Sequence, residues 1–527
     1  MNTHHPLRYT LLASLVTSTL LISACNSDDN DSNTSKPTPG SDTPTTPTTP
    51  TVKLPKNIIL MINDGASWGT WEMGAQWKKG GSANDLEAYQ QLPVRLGMTT
   101  YPLNISNTPT NEATSTLSYD ASKAWDGTIG TADASDTQYQ TAIAGYKYLK
   151  SNYTDSAAAG TALATGHKTY NNAINYDNFG KPLEFVTQIA KAQGKATGVV
   201  TSVQLSHATP STFAAQNISR KNMTALAHDM LTNGSTDLLM GTGHPEYDGN
   251  GLSVTALDST ACAANSACTN PYDTIGEVEW NALKAGTLQP TGASKPWPLI
   301  DDKATFDLLA DGNLAVDGPL VGIPQVRWTL QQGRDAAVVG NDPAQPSGAK
   351  LIASVPDLAT MTKGALNYLG KDKDGLFIMI EGGATDWAAH ANQTGRLIEE
   401  QEAFDQALAA VESWVAANSS WEETLLIVTT DHGNALPLGP NSDTVAFQAI
   451  TNNGTGNLPD VRYWTGNHTN EVVRLWARGQ GSEQLTKLVR AKDAKFAEVV
   501  GHNSDGSYID NTDVFTAIKA NLVSAAQ

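Results

Sequence analysis

Cysteine is nearly absent from this chain, with three in 527 residues. One disulfide is the most they can form, so a buried core must hold the fold. Basic side chains are scarce too. Lys and Arg number 34 against 53 Asp and Glu, giving a formal net charge of −19. That balance repels the phosphates of a nucleic acid and argues against such a partner. It also gives no general attraction for a small phosphate, which would have to be held locally by metals or an arginine. No internal repeat is visible, which argues against repeat architectures. The apolar run at residues 11–21 falls short of the roughly 20 residues that a membrane span needs.

The start of the chain has the features of an export signal. Arg8 gives residues 1–24 a weakly basic beginning, and residues 11–21 form a short apolar core. Leu21-Ile22-Ser23-Ala24-Cys25 resembles a bacterial lipobox, which implies cleavage before Cys25 and its lipidation; an ordinary signal with a chance cysteine is the alternative. Asn26 and Ser27 follow, not Asp. In lipoproteins this implies outer-membrane sorting, so the expected location is exported and lipid-anchored at the outer membrane, on the periplasmic or cell-surface side. Residues 25–54 are rich in Ser, Thr, Pro, Asp and Asn and are read as a linker. Residues 55–527 are read as one large domain. Within it, residues 244–350 are rich in Gly, Asn, Pro and Ala and are expected to be mainly insertion and loop over a crevice or at a subunit contact. Cys262 and Cys268 either close a small loop there as a disulfide or stand as two free thiols.

Continuous apolar runs at residues 56–62, 196–203, 375–380 and 425–429 predict buried strands. Helical patterns lie between them; the clearest puts Leu397, Phe404, Leu408, Val411 and Val415 on one face. The expectation is an α/β fold, a three-layer α/β/α sandwich around a large, mainly parallel sheet. Each predicted strand runs directly into groups able to bind a metal. They are Asp64 after the first, His207 and Thr209 after the second, Glu381 through Asp386 and His390 after the third, and Asp431-His432 after the fourth. Ligands of open α/β sheets bind outside the carboxyl ends of the strands, so four such ends can converge on one crevice. Asp386 and His390 are spaced i, i+4 and share a helix face, and His468 can add one imidazole. Carboxylate with imidazole suits zinc; carboxylate with hydroxyl and water suits magnesium.

Tyr153 to Thr161 places Ser156 between Asp155 and a run of small residues. Asp and Ser favour a helix start and Ala its continuation. A hydroxyl there faces free N–H groups and the positive end of the helix dipole, a good position for an oxygen that is to carry a phosphoryl group.

Five separated stretches, residues 56–65, 154–158, 381–390, 430–432 and 466–468, resemble the alkaline phosphatase family in order and spacing. The resemblance covers roughly residues 55–525. It implies hydrolysis of phosphate monoesters at alkaline pH with Ser156 as nucleophile, forming a phosphoserine. It implies one zinc on Asp386, His390 and His468, a second on Asp64, Asp431 and His432, and magnesium on Asp64, Thr209 and Glu381. Arg220 matches the arginine that clamps the phosphate, with Asp155 orienting it, and family habit favours a homodimer. His207 stands where some members carry Asp, and Trp387 where they carry a polar or basic residue. His207 can touch a ligand, be a ligand itself or only pack there, and the first reading is favoured. Asn63 stands where the family commonly has glycine. A sulfatase would need Pro and Arg after the serine, which are missing, and diesterases tend to lack the counterpart of Arg220. A lipoprotein with purely structural metals, acting in adhesion, is the reading from a different class. None of the residues named reads a leaving group, so varied monoesters are the expected substrates.

Overall fold

Asn57–Asn63 is buried at all seven positions, and its pairing explains why no polar residue interrupts it. The strand lies between two parallel neighbours, Leu376–Gly382 and Thr424–Thr429, so both of its faces are covered. The structure, a computed structural model, describes residues 53–263, 268–501 and 503–523. The expected signal, Cys25 and the linker as far as residue 52 lie outside the described residues.

The strands in chain order are β1 (Asn57–Asn63), β2 (Val94–Thr99), β3 (Ala196–Gln204), β4 (Leu238–Thr242), β5 (Leu299–Ile300), β6 (Leu320–Gly322), β7 (Leu376–Gly382), β8 (Thr424–Thr429), β9 (Gly433–Asn434), β10 (His468–Thr469), β11 (Val473–Gly479), β12 (Ala491–Lys492) and β13 (Ser507–Asp510). Eleven of them form one sheet in the order β12-β13-β2-β11-β8-β1-β7-β3-β4-β6-β5. The run from β8 to β5 is wholly parallel, and β11 enters antiparallel between β8 and β2.

The alternation of β1 builds two cores. Ile58, Leu60 and Ile62 join a cluster with Leu163 and Ala164 of the helix Ser156–Thr165 and Val514 and Ile518 of the helix Asn511–Leu522. Ile59 and Met61 face the other way, against Met361 and Leu366 of the helix Leu358–Leu369 and Phe404, Leu408, Val411 and Val415 of the helix Thr394–Asn418. This is the expected three-layer sandwich. Burial of these side chains, at about 25 cal/mol per Å² of apolar surface, is what holds the layers together.

Residues 244–350 differ from their expected loop character. They supply β5 and β6, which extend the parallel edge of the sheet. The flanking helices bury Trp280 and Leu283 on one face and Phe306 and Leu309 on the other. Short strands set among Gly and Pro give no long apolar run, so sequence patterning does not reveal them. Cys262 and Cys268 are joined as a disulfide. No helix among the described residues is long and apolar enough to cross a membrane.

Candidate active site

The sheet order sets β8, β1, β7 and β3 side by side, so the four polar strand ends meet at one place. Asp431 and His432 follow β8, Asp64 follows β1, Glu381 is the last residue but one of β7, and His207 and Thr209 follow β3. The small antiparallel pair β9–β10 sets His468 opposite Asn434, bringing a distant stretch of chain to the same crevice. Asp386 and His390 lie on the helix Ala384–His390, sharing a face as their spacing requires.

Glycine is needed at two positions for this convergence. Gly65 has φ +67°, and a Cβ there would come within 2.6 Å of Asp386 Oδ1. Gly160 lets the helix Ser156–Thr165 close onto Thr212, whose Oγ1 would lie 2.6 Å from an added Cβ.

Ser156 is the first residue of its ten-residue helix and is buried. Asp155 caps that helix, one carboxylate oxygen accepting from Ala158 N at 2.9 Å. Its other oxygen accepts from Asn172 N at 3.0 Å and from Arg220 Nη1 at 3.1 Å. One aspartate thus sets both the serine and the arginine. Ser156 Oγ lies 3.1 Å from His432 Nε2.

Three imidazoles are held alike. His390 Nδ1 is 2.7 Å from Gly466 O, His468 Nδ1 is 2.8 Å from Thr154 O, and His432 Nδ1 is 3.3 Å from Gly433 O. Donation from Nδ1 to a carbonyl leaves each Nε2 to face the crevice. His390 Nε2 and His468 Nε2 are 3.1 Å apart, each 3.4 Å from an oxygen of Asp386. His432 Nε2 is 3.2 Å from Asp431 Oδ2 and 3.4 Å from Asp64 Oδ1. The His432 and His468 rings stack at 3.6 Å.

The donor atoms form three groups that can hold a metal ion: Asp386 with His432 and His468, Asp64 with Asp431 and His432, and Asp64 with His207 and Glu381. Thr209 Oγ1 donates to Asp64 Oδ2 at 3.4 Å. Asp64 Oδ1, Asp431 Oδ2, Glu381 Oε1 and His207 Nδ1 are buried with no hydrogen-bond partner among the described residues. Buried orphan oxygens on crowded carboxylates are costly unless a cation meets them, so the donor set fits metal ions. Burial, then the charges of Asp431 and Asp386, raise the Asp64 carboxyl well above the usual range. Burial brings Glu381 to about 8, and burial with Asp386 brings Asp431 to about 6. On Asp386 burial works the other way, but His468 and His390 outweigh it and hold the carboxyl well below its ordinary value. Burial likewise opposes a proton on His390, yet Asp386 and Gly466 O bring that ring to about 9.

His207, read from the sequence as touching a ligand, stands among the donor atoms itself. Its ring packs 5.8 Å from that of Trp387, and burial, then Arg220, lower it to about 3. Sequence reasoning missed several supporting residues. Asn434 Nδ2 donates to Asp386 Oδ1 at 2.7 Å. Thr201 donates to Glu381, its partner in the β3–β7 register. Asn63 accepts from Thr385 at 2.6 Å and donates to Gln401 at 2.8 Å, tying the Asp386 helix to the sheet. Asn434, close behind Asp431-His432, and Asn63, which stands where the family commonly has glycine, carried a sequence signal; Thr201 carried none.

The alkaline phosphatase family model matches residues 134–247 and 331–503, which include Ser156, Arg220, Asp386, His390, Asp431, His432 and His468. The chain belongs to the alkaline phosphatase family. Alkaline phosphatase 3 of Bacillus subtilis (strain 168) is 32% identical over 288 residues, which are 53% of this chain and 49% of that protein. The chain therefore spans about half the length of this relative. The alkaline phosphatase of Escherichia coli (strain K12) is 28% identical over 389 residues, 70% of this chain and 74% of that protein. Among solved structures, alkaline phosphatase from the Antarctic bacterium TAB5 shares the fold, with TM-score 0.53 and 20% identity, covering 90% of this chain and all of that one. A mutant of that enzyme is described with Mg bound in its M3 site.

Proposed function

We propose that this alkaline phosphatase family member hydrolyses phosphate monoesters at alkaline pH, releasing inorganic phosphate and an alcohol through a phosphoserine on Ser156. The observation that carries this reading is the position of Ser156 Oγ, 3.1 Å from His432 Nε2 at the junction of two metal-binding groups, with Arg220 fixed beside it by Asp155. The proposed ions are zinc on Asp386, His390 and His468, zinc on Asp64, Asp431 and His432, and magnesium on Asp64, Thr209 and Glu381, with His207 beside them. When bound they supply positive charge that favours the serine alkoxide and offsets charge on the entering and leaving oxygens.

The chain does the positioning. Arg220 offers two parallel N–H groups to two non-bridging phosphate oxygens, a match that lysine lacks. The helix N-terminus turns its free N–H groups towards the same anion. Ser156 Oγ attacks phosphorus, the ester oxygen departs with its alcohol and takes a proton, and water then attacks the phosphoserine and restores the hydroxyl. The test is turnover of a chromogenic aryl phosphate from pH 6 to 11, before and after chelation. Alkaline activity restored by zinc and magnesium is expected. Activity on diesters alone would overturn the monoester reading.

We also propose lipidation at Cys25, anchoring at the outer membrane and a homodimer. The lipobox-like stretch and the linker support the first two, and family habit the third. Incorporation of labelled palmitate that disappears in Cys25→Ser is expected; equal labelling of the variant would contradict the anchor.

A further inference from the structure

A hollow of about 190 Å³ is lined by the helix Trp68–Lys79, the strand β11 and residues from 437–450 and 499–501. None of the metal-site residues lines it. Its walls are mostly apolar, and Trp68, Leu438, Phe447 and Ile450 among them are buried. The Trp68 indole N–H is already spent, donating to Val472 O at 2.6 Å. An apolar cavity of about 150 Å³ takes a benzene ring, so this hollow has room for one ring with a small substituent.

One wall is polar. The side chain of Arg474 is wholly buried. Its Nη2 donates to Glu72 Oε1 at 2.6 Å and to Val500 O at 2.7 Å. Its Nε and Nη1 have no partner among the described residues, and neither has Oε1 of Gln76, which is 8% exposed. Both residues line the hollow. Glu72 already meets the charge of Arg474, so the wall lacks hydrogen bonds and not an anion. A carboxylate set there would place a second negative charge beside Glu72, away from water. Water would suit the polar wall but would find few partners against the apolar ones. A hydroxyl meets the polar wall in both senses, accepting from Arg474 and donating to Gln76 Oε1.

We propose that this hollow binds a neutral single-ring alcohol, with the ring among Trp68, Leu438, Phe447 and Ile450 and the hydroxyl between Arg474 and Gln76. The site is separate from phosphoryl transfer, and the inference stands or falls independently of the role of Ser156.

The test titrates benzyl alcohol, toluene and benzoate into the metal-loaded full chain by ligand-observed NMR, with excess inorganic phosphate occupying the metal site. Benzyl alcohol should bind about tenfold tighter than toluene, on the scale of one hydrogen bond to a charged group, and tighter than benzoate by a similar factor. Ala449→Trp, at an exposed lining residue, should fill the hollow and abolish binding while aryl phosphate turnover is unchanged. Gln76→Met should narrow the ratio of benzyl alcohol to toluene. The comparison of the three probes on the wild type decides the matter even if a variant fails to fold. Equal affinity for benzyl alcohol and toluene, tighter binding of benzoate, or binding indifferent to both folded variants overturns the proposal. So does no binding of benzyl alcohol, which would leave the hollow to water alone.

Discussion

At the scale of single residues, the site is built by fixing imidazoles from behind. His390, His432 and His468 each turn Nδ1 to a backbone carbonyl, so the protein, not the ion, sets the ring directions. The protons that a cation must displace are then on His390, at about 9, Glu381, at about 8, and Asp431, at about 6. These groups hold more protons without metal than with it, so raising the pH through these values favours binding. Zinc affinity of the chelated protein should rise steeply from pH 6 to 9 and level off above, with protons released on binding; calorimetry in buffers of different ionisation enthalpy measures both. An affinity independent of pH over that window would contradict the donor set. Gly65→Ala should cost about 1–3 kcal/mol and weaken metal retention, because it combines a left-handed φ with a clash at Asp386. Thermal melts and metal analysis check it. Most of the ligand types were legible in the sequence because they lie at or just after the end of an apolar strand; His468 follows no such strand and was legible from its place in the family's order. The carbonyls behind them were not, since Thr154, Gly433 and Gly466 act through backbone atoms that any residue supplies.

At the scale of elements, the helix Thr394–Asn418 shows how far periodicity reaches. Phe404, Leu408, Val411 and Val415 pack on the sheet as their spacing predicts. The same helix buries Glu400, one of whose oxygens has no partner among the described residues, and periodicity alone gives no reason for that. Burial, then Glu399, raises this carboxyl to about 7. A carboxyl raised on folding has its neutral form favoured in the native state. Stability is therefore full below the unfolded value near 4.5 and is lost as pH rises to about 7. Glu400→Gln should stabilise the protein by about 1–3 kcal/mol above pH 7 and change it little near pH 4, as denaturant melts at both pH values will show. Equal effects at the two would contradict the assignment. The strands β5 and β6 mark the opposite limit, being two and three residues long and fixed by partners already in the sheet.

At the scale of the whole molecule, the order β8-β1-β7-β3 is what turns four sequence motifs into one site. The motifs predicted convergence, but the strand order itself depends on long-range pairing that no local pattern encodes. Because the metal groups bridge all four strand ends, chelation should lower the melting temperature of the entire domain, not only abolish turnover. A melt unmoved by chelation would mean that the strand ends hold their places without ions. The central claim is that Ser156, at this junction, carries the phosphoryl group. The direct measurement is mass spectrometry of the peptide containing Ser156, after the metal-loaded protein is mixed with an aryl phosphate and quenched during turnover. Phosphate on Ser156, absent after chelation and in Ser156→Ala, is the predicted result. An active enzyme that is never phosphorylated at Ser156, or a Ser156→Ala variant with undiminished turnover, would contradict it.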